Sequence, residues 1–563
     1  MSDLQEKPAK KKPGARSQKR VDRKAARRFF WLLATGFWLL FLPGCKDDFG
    51  AGSTGELVVP RHKLHDVEHI EMDLYATTRP ATLPTSLPVH ESVDLTIEQV
   101  RRDALENNLD LKVQLFDPTL AKEALNAERA KFEAVFTTDL NYARTDSATA
   151  SQLNNSQSEF WSLNPAVEIP LRTGGTIRLD APQRRSEVEN QFSTLNPAYT
   201  SDVDASISIP LLRGFGPDAN AQSIRVAFYE SQAAQARTKL EVIRVLTDVD
   251  KTYWLLYASR RELEVRKKEY DLANAQLDRA RRQVRAGTVA EVEIVRAESG
   301  VADTVQAIIT AENNVRDRQR DLKRIINRAD LQMETPTVVV PATVPDATPY
   351  KIDPEEMVRR SLDQRMELLE SELQIAADSA NVAAAHNATL PVVSFQYTYG
   401  INGLGGEYND ALSQVNDKRF EDHTAGLHLE VPIGNEAARS RYRAALLRRL
   451  QTLATKQQRT LQITQEVYNA LDALQAAWLS IIAAQKRTVL NARLLDVEIR
   501  QFEQGLRTTT EVLDAQTKLA NAQSAEIFAI TSYQIAQVDL AFATGTVLGQ
   551  SRIDWSPARS PRD

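Results

Sequence analysis

The chain has 563 residues, of which 42% are hydrophobic and 26% charged, with a mean hydropathy of -0.38. That is the composition of a chain whose surface meets water, and length alone would allow about three or four domains. One cysteine excludes an intramolecular disulfide and any cysteine-based zinc site, and the formal net charge is -5.

The first 28 residues carry eleven Lys/Arg against three Asp/Glu, and Phe29 to Gly44 then carries no charge. An apolar run of roughly 14 to 16 residues is short for a membrane-spanning helix, which needs about 20, but suits the core of a signal peptide. The run ends in Leu42-Pro43-Gly44-Cys45, which resembles a bacterial lipobox. Residues 1–44 are therefore expected to be a lipoprotein signal segment and Cys45 the acylated residue. The alternative is a basic cytoplasmic tail with a short uncleaved anchor. Removing residues 1–44, with their eight excess positive charges, takes the formal net charge from -5 to -13, an acidic balance that argues against nucleic acid as a partner. Pro60, Pro80, Pro84 and Pro88 make residues 45–93 an extended tether, and His62, His65 and His69 within it read as solvated rather than as metal ligands.

The remainder of the chain is one unit written twice. Ile97 to Leu111 aligns without gaps on Pro354 to Leu368, and Arg282 to Ala297 aligns on Arg500 to Ala515, with Gly287 and Gly505 at equivalent places. The repeats span residues 94–334 and 354–550, separated by a linker, 335–353, whose composition is set by Pro336, Pro341, Pro345 and Pro349. A tail, 551–563, closes the chain. Each repeat opens with a helix, around Thr96 to Lys131 and Asp353 to Asn387, passes through a β-rich stretch, and ends in a helical tract free of proline, about 220–329 and 435–544. The 65 to 70 residues before each central glycine amount to about 100 Å of helix at ~1.5 Å per residue. Ile463, Val467, Leu471, Leu474, Trp478 and Ile481 form a narrow apolar stripe, which Leu490, Leu494 and Val497 continue. Glycine followed by threonine and acidic residues at Gly287 and Gly505 marks one helix ending and the next beginning, so each tract is an antiparallel hairpin. The short opening helices are left to pack along the surplus of the longer arm.

The β-rich stretches, about 132–211 and 392–431, alternate in polarity. Phe132 to Tyr142, Ala166 to Leu171, Thr176 to Asp180, Asp202 to Leu211, Val392 to Tyr399 and Thr424 to Val431 read as six strands. Thr145 to Ser158 and Gly400 to Phe420 read as long polar loops. Strands of about ten residues with such loops are what a transmembrane barrel shows, yet four to six strands cannot close one, since about eight is the practical minimum. Other copies of the chain must pair the open edges.

The duplicated order, the opening Leu95-Thr96-Ile97-Glu98-Gln99-Val100 with Ala104 to Asn108, the Ile209-Pro210-Leu211 and Val431-Pro432-Ile433 strand exits, and the tip from Gly505 to Ala515 together resemble the TolC-like outer-membrane efflux protein family, including its lipid-anchored OprM-like members. The likeness covers nearly all of residues 94–550. It implies a homotrimeric outer-membrane β-barrel of twelve strands, four from each chain, continued by a periplasmic α-helical barrel. Its implied partners are outer-membrane lipid, a periplasmic adaptor and an inner-membrane pump. No cofactor is implied beyond covalent lipid at Cys45. Leu171 to Thr176 departs from the pattern as an extra hairpin turn, so four strands are implied where six are counted. Glu511 and Asp514 stand at the positions of the family's acidic constriction, with Glu511 where an Asp is usual, and Arg507 stands at that of a latch residue; the first repeat has Val289 there, with Glu291 and Glu293 nearby. A local alternative for both carboxylates is a solvated helix N-terminus. The function implied is a passive exit duct of a tripartite efflux or type I secretion system; the alternative is a periplasm-spanning coiled-coil lipoprotein without a pore. Neither a phosphate loop, a nucleophile constellation nor metal-ligand spacing favours an enzyme.

Overall fold

The computed structural model describes residues 91–148, 157–189 and 193–553. Cys45, the tether histidines, the signal segment and the end of the tail lie outside the described residues. The first repeat runs β1 (Ser92–Leu95), α1 (Ile97–Asn107), α2 (Leu109–Gln114), α3 (Asp117–Ala130), β2 (Val135–Asp146), β3 (Gln157–Pro170), β4 (Thr176–Asp180), β5 (Gln183–Val188), β6 (Ala198–Pro210), α4 (Pro217–Asn220), α5 (Gln222–Arg285) and α6 (Val292–Ile326). β7 (Val338–Pro341) lies between the repeats. The second repeat runs α7 (Pro354–Gln364), α8 (Met366–Asn387), β8 (Val392–Gly405), α9 (Tyr408–Asn416), β9 (Glu421–Glu430), α10 (Glu436–Glu503), α11 (Thr509–Ala543) and α12 (Val547–Gln550).

Each repeat opens with the same joint. α1 starts under a capping box, in which the Gln99 N–H donates to the Thr96 hydroxyl at 3.3 Å and the Thr96 N–H donates to the Gln99 side chain at 2.9 Å. The opening helix, expected to be continuous from Thr96 to Lys131, breaks at Asn108, and its second-repeat equivalent breaks at Arg365. These two residues are 257 apart, the offset of the aligned openings, and they do the same work. Asn108 donates to the Ile325 carbonyl at 3.1 Å, near the end of α6; Arg365 donates to the Phe542 and Ala543 carbonyls at 3.4 and 3.3 Å, at the end of α11. Both give a partner to carbonyls that a helix C-terminus leaves unpaired.

The long arms α5 and α10 have 64 and 68 residues and their returns α6 and α11 have 35 each. The surplus of α5 packs on α3 and α8, and that of α10 on α7 and α8. Val242, Leu246, Val249 and Leu256 of α5 bury themselves against Val100, Leu111, Leu322 and Ile326. Tyr253, fully buried at their centre, donates to the Leu95 carbonyl at 3.0 Å and accepts from the Thr343 N–H at 2.9 Å. The Pro-rich linker is consequently no free spacer: β7 pairs in parallel with β1, from Ser92 on Val338 to Leu95 on Pro341, and Gln534 donates to the Asp346 carbonyl at 2.5 Å. The tether boundary at 93 falls inside β1.

Two further expectations are corrected. Ile463, Val467, Leu474 and Ile481 are buried, but Leu490, Leu494 and Val497 are exposed, and the buried line continues through Leu495 and Phe502. Val467, Leu474, Ile481, Leu495 and Phe502 lie on a seven-residue repeat, so the seam follows a coiled-coil period of 3.5, from which a 3.6-residue stripe drifts by about 20° per heptad. The strands are also longer than expected. β2 starts at Val135 and reaches Asp146, β3 starts at Gln157, β5 is an additional strand, and the supposed loop after Gly400 holds the end of β8 and the helix α9. A Cβ on Gly403 would lie 2.0 Å from the Ala411 carbonyl oxygen, so these glycines are the seat of α9 and not loop punctuation.

Arg101 of α1 clamps Asp250 of α5 through two bonds of 2.7 Å, with the Asp250 side chain only 3% exposed. Burial pushes the Asp250 carboxyl up, against the pull of the guanidinium. Arg101→Ala leaves that carboxylate buried without its partner and should cost about 3–5 kcal/mol, whereas Arg101→Met with Asp250→Leu should recover most of it. Chemical denaturation of the two variants beside the parent checks this.

Sheet faces and hairpin tips as the candidate functional site

The seven strands β2 to β6, β8 and β9 form one antiparallel sheet with β2 and β9 at its edges. β4 and β5 occupy a single lane: both pair between β3 and β6, and across their break the Ala181 N–H bonds the Pro165 carbonyl and the Asp202 N–H bonds the Pro182 carbonyl, each at 3.0 Å. The chain thus contributes six lanes, and the four implied by the family resemblance are corrected. The extra pair comes from the first repeat, whose equivalence to the second falls from an offset of 257 at the opening helices to 218 at the tips, leaving 39 more residues in between.

The faces of the sheet differ in chemistry. Phe136, Leu140, Trp161, Ile207, Phe395 and Leu427 share one face, and Phe136, Leu140 and Leu427 are 66%, 57% and 68% exposed. That is an apolar surface with no protein over it. The other face is polar. A single row of paired residues there runs Thr137, Ala166, Asp180, Asp204, Gly400, Asp422, and Asn402 donates to Asp422 at 2.5 Å. Apolar on one side and polar on the other is the pattern of a barrel wall between lipid and water. Among the described residues no cluster of His, Cys, Asp or Glu converges as a metal site requires.

At the far end of each hairpin the turn is the same. Gly287 and Gly505 both have φ +71°, a region closed to most side chains. The Gly287 N–H bonds the Val284 carbonyl and the Thr288 N–H bonds the Gln283 carbonyl, both at 3.0 Å; Gly505 and Leu506 repeat this on Phe502 and Gln501. These are Schellman closures. The second tip then adds a cluster that the first lacks. Glu511 accepts from the Thr508 N–H at 2.7 Å within a capping box and pairs with Arg507 at 2.6 Å. Arg507 reaches back to α10, donating to Gln501 at 2.9 Å and pairing with Glu498 at 3.3 Å. The Thr508 N–H and then the Arg507 guanidinium hold the Glu511 carboxyl below its ordinary value, and Glu511 in return raises Arg507. Asp514, one turn further along, pairs with Lys518 at 2.6 Å. The structure places Gly505, Arg507, Glu511 and Asp514 together, and Gly287 at the companion turn.

One contact here was invisible to sequence reasoning. Glu293 of α6 accepts from the Thr509 N–H at 3.1 Å, so a residue of the first hairpin caps the returning helix of the second. Burial pushes the Glu293 carboxyl up, but the Thr509 bond and Arg296 at 2.6 Å bring it below its ordinary value. Nearby, Leu513 fills the space left by Gly300, where a Cβ would lie 2.8 Å from it, beside a crevice of about 490 Å³ lined by Arg266, Arg296, Asp303 and Gln516. No local motif signals this role of Glu293, because it depends on how two distant hairpins meet.

A chain with one sector of a lipid-facing barrel at one end and paired helical hairpins at the other is a segment of a membrane duct. The family model for outer membrane efflux proteins matches residues 176–328 and 357–546, and the chain belongs to that family, whose members are channels. It is an outer-membrane efflux channel protein. It is 22% identical over 334 residues to the outer membrane protein TolC of Vibrio cholerae, covering 58% of this chain and 73% of that one. It is 25% identical over 419 residues to the pyoverdine export outer membrane protein OpmQ of Pseudomonas putida, covering 71% and 79%. Among solved structures the CusC channel superposes with a TM-score of 0.60 at 16% identity, covering 84% of this chain and 98% of that one. The CmeC channel of Campylobacter jejuni gives 0.59 at 18% identity, covering 80% and 85%.

Glu293→Ala should free the start of α11, and loss of a helix cap of ordinary strength speeds local opening about 2- to 30-fold. Hydrogen exchange of the peptide around residues 505–512 should show that increase, while peptides at the α5–α1 interface stay unchanged.

Proposed function

We propose that three copies of this chain form the passive exit duct of a tripartite efflux or type I secretion system, held by lipid at Cys45 and meeting a periplasmic adaptor and an inner-membrane pump at the hairpin tips. The observation that carries this reading is what one chain leaves uncovered. Both sheet edges have an unpaired row of backbone groups, and in lipid each such group costs several kcal/mol. α10 adds a long apolar flank, on which Leu479, Ile482, Val489, Leu490, Leu494 and Val497 are exposed. A partner copy on each side satisfies both needs. The pore-free coiled-coil alternative leaves the two-faced sheet without a role.

The gate of this duct is read at the second tip. Three copies bring Glu511 and Asp514 into two stacked acidic rings, with Arg507 latching α10 to α11. In planar bilayers the assembled protein should conduct, Glu511→Ala with Asp514→Ala should lower cation selectivity and block by polyvalent cations, and Arg507→Ser should raise the resting conductance. Unchanged selectivity in the double variant would move the constriction elsewhere, and no conductance at all would remove the duct. The Glu511 pair should also report on pH. A carboxyl held below its ordinary 4.5 contributes fully above that value and is lost as pH falls through its lowered one, so the latch should persist at pH 5 and release only in stronger acid.

The anchor is tested separately. Cys45→Ser should abolish incorporation of labelled palmitate while leaving outer-membrane assembly largely intact, because the barrel itself holds the protein; label retained in the variant would refute the assignment.

A further inference from the structure

We propose that β9 of one copy pairs with β2 of the next in the register that sets Glu421 opposite Arg144, so that three copies close an eighteen-lane barrel as wide as the helical wall beneath it. The proposal rests on the trimeric duct read above and adds its lane count, edge register and bore.

The edges fit each other in direction. Six lanes alternate up and down, so β2 leaves the helical end and β9 returns to it, and a copy placed edge to edge presents them antiparallel. Along their lengths both strands are exposed almost throughout, and β2 is bonded to β3 alone and β9 to β8 alone among the described residues. The apolar face must also continue from copy to copy, which allows only shifts by two residues.

The register follows from the slant of the sheet. The paired row that begins at Thr137 lies two residues from the start of β2, whereas its far end, Asp422, lies eight residues from the end of β9. Across one chain the row therefore climbs six residues relative to the strand ends, and with those ends level Asp422 meets Ala143 of the next copy. Phe136 then faces Leu429, Tyr142 faces His423 and Arg144 faces Glu421. A climb of six residues at ~3.3 Å over six lanes at ~4.8 Å gives a strand tilt of about 35°, the lower end of what closed barrels adopt. Shifting back by two residues lowers the tilt to about 25°, outside that range. Shifting forward by two keeps an acceptable tilt of about 42° but sets Glu421 against Asp146, a like-charge pair that is destabilising across strands. Geometry excludes the one neighbouring register and charge the other.

Lane count fixes the bore. Eighteen lanes at this tilt enclose about 34 Å between backbones, or about 24 Å clear once side chains take ~5 Å from each wall. Four helices from each of three copies, spaced by about 9 Å, ring about the same diameter. The wall thus passes from helix to strand without a step, whereas twelve lanes at the same tilt would narrow it to about 12 Å clear. Selection by size then falls to the hairpin tips and not to the membrane section. The extra lanes are built in and tightly turned: a Cβ on Gly174, in the turn from β3 to β4, would lie 2.1 Å from the Gly214 carbonyl oxygen.

The full chain carrying Cys45→Ser, so that no native thiol competes, is tested with Arg144→Cys plus Glu421→Cys and, independently, with Phe136→Cys plus Leu429→Cys. Mild oxidation of outer-membrane fractions should give reducible dimers and trimers with both pairs and none with Arg144→Cys plus Ala425→Cys, four residues out of register. Assembled protein in bilayers should admit neutral polymers about 20 Å across from the barrel end. Native mass spectrometry showing a trimer, together with failure of both in-register pairs or exclusion of polymers above about 12 Å, overturns the eighteen-lane barrel and leaves the trimeric duct standing. Absence of a trimer overturns both.

Discussion

A sheet that faces lipid has nothing but other backbone to bond with, and this single constraint organises the rest of the molecule. A chain that ends in two open strands is chemically incomplete in a membrane. Six lanes, alternating in direction so that β2 starts and β9 ends at the helical end, are an arrangement that can be completed by copies of itself. The helical hairpins inherit that requirement. They rise from the same end of the sheet and carry apolar flanks on α10 that the chain alone leaves uncovered.

Duplication supplies the parts, and small departures from symmetry supply the specialisation. Asn108 and Arg365 are equivalent in sequence and both tie a returning helix to the opening joint, yet one is a neutral amide and the other a buried cation engaged by Glu367 and Glu466. At the tips Gly287 and Gly505 make identical closures, but only the second is followed by the Arg507, Thr508 and Glu511 cluster. Between them, Glu293 reaches across to the start of α11. The two hairpins are joined here by the Glu293 bond to Thr509 and by Leu513 seated over Gly300, while each is held internally by apolar residues such as Leu277, Ala280 and Ala297 in the first and Leu495, Phe502 and Val512 in the second.

The same logic distinguishes the acidic residues by location. Asp250 is buried and depends on Arg101 for compensation, so it belongs to the framework. Glu511 is exposed, and the Thr508 N–H and Arg507 favour its ionised form at the surface of the tip. Asp180, Asp204 and Asp422 stand in one row on the polar face of the sheet, where small Ala166 and Gly400 flank them. Their position in the wall, not their number, is what makes each group useful.

Much of this was written locally. Absence of proline over a hundred residues, one glycine at each turn and an N-capping threonine after the second mark where the helices run and where they reverse, because propensity and the left-handed closure are decided within a few residues. The duplication and the two-faced strands were equally legible. What tertiary structure alone decided are features that join distant segments. Polar residues on the inner face disguised β5 and the ends of β2 and β3 as loop, since a strand wetted on one side looks polar when read along the chain. The exposed Leu490, Leu494 and Val497 looked like core because a helical period cannot say which of two apolar lines meets its own hairpin. The prolines of the linker signalled a spacer, but Tyr253 and β1 dock it. Glu293 was one acidic residue among many until the packing of two hairpins set it against the Thr509 N–H. Local chemistry dictates which elements form; which faces meet depends on contacts hundreds of residues apart, and those are made only once the chain has folded.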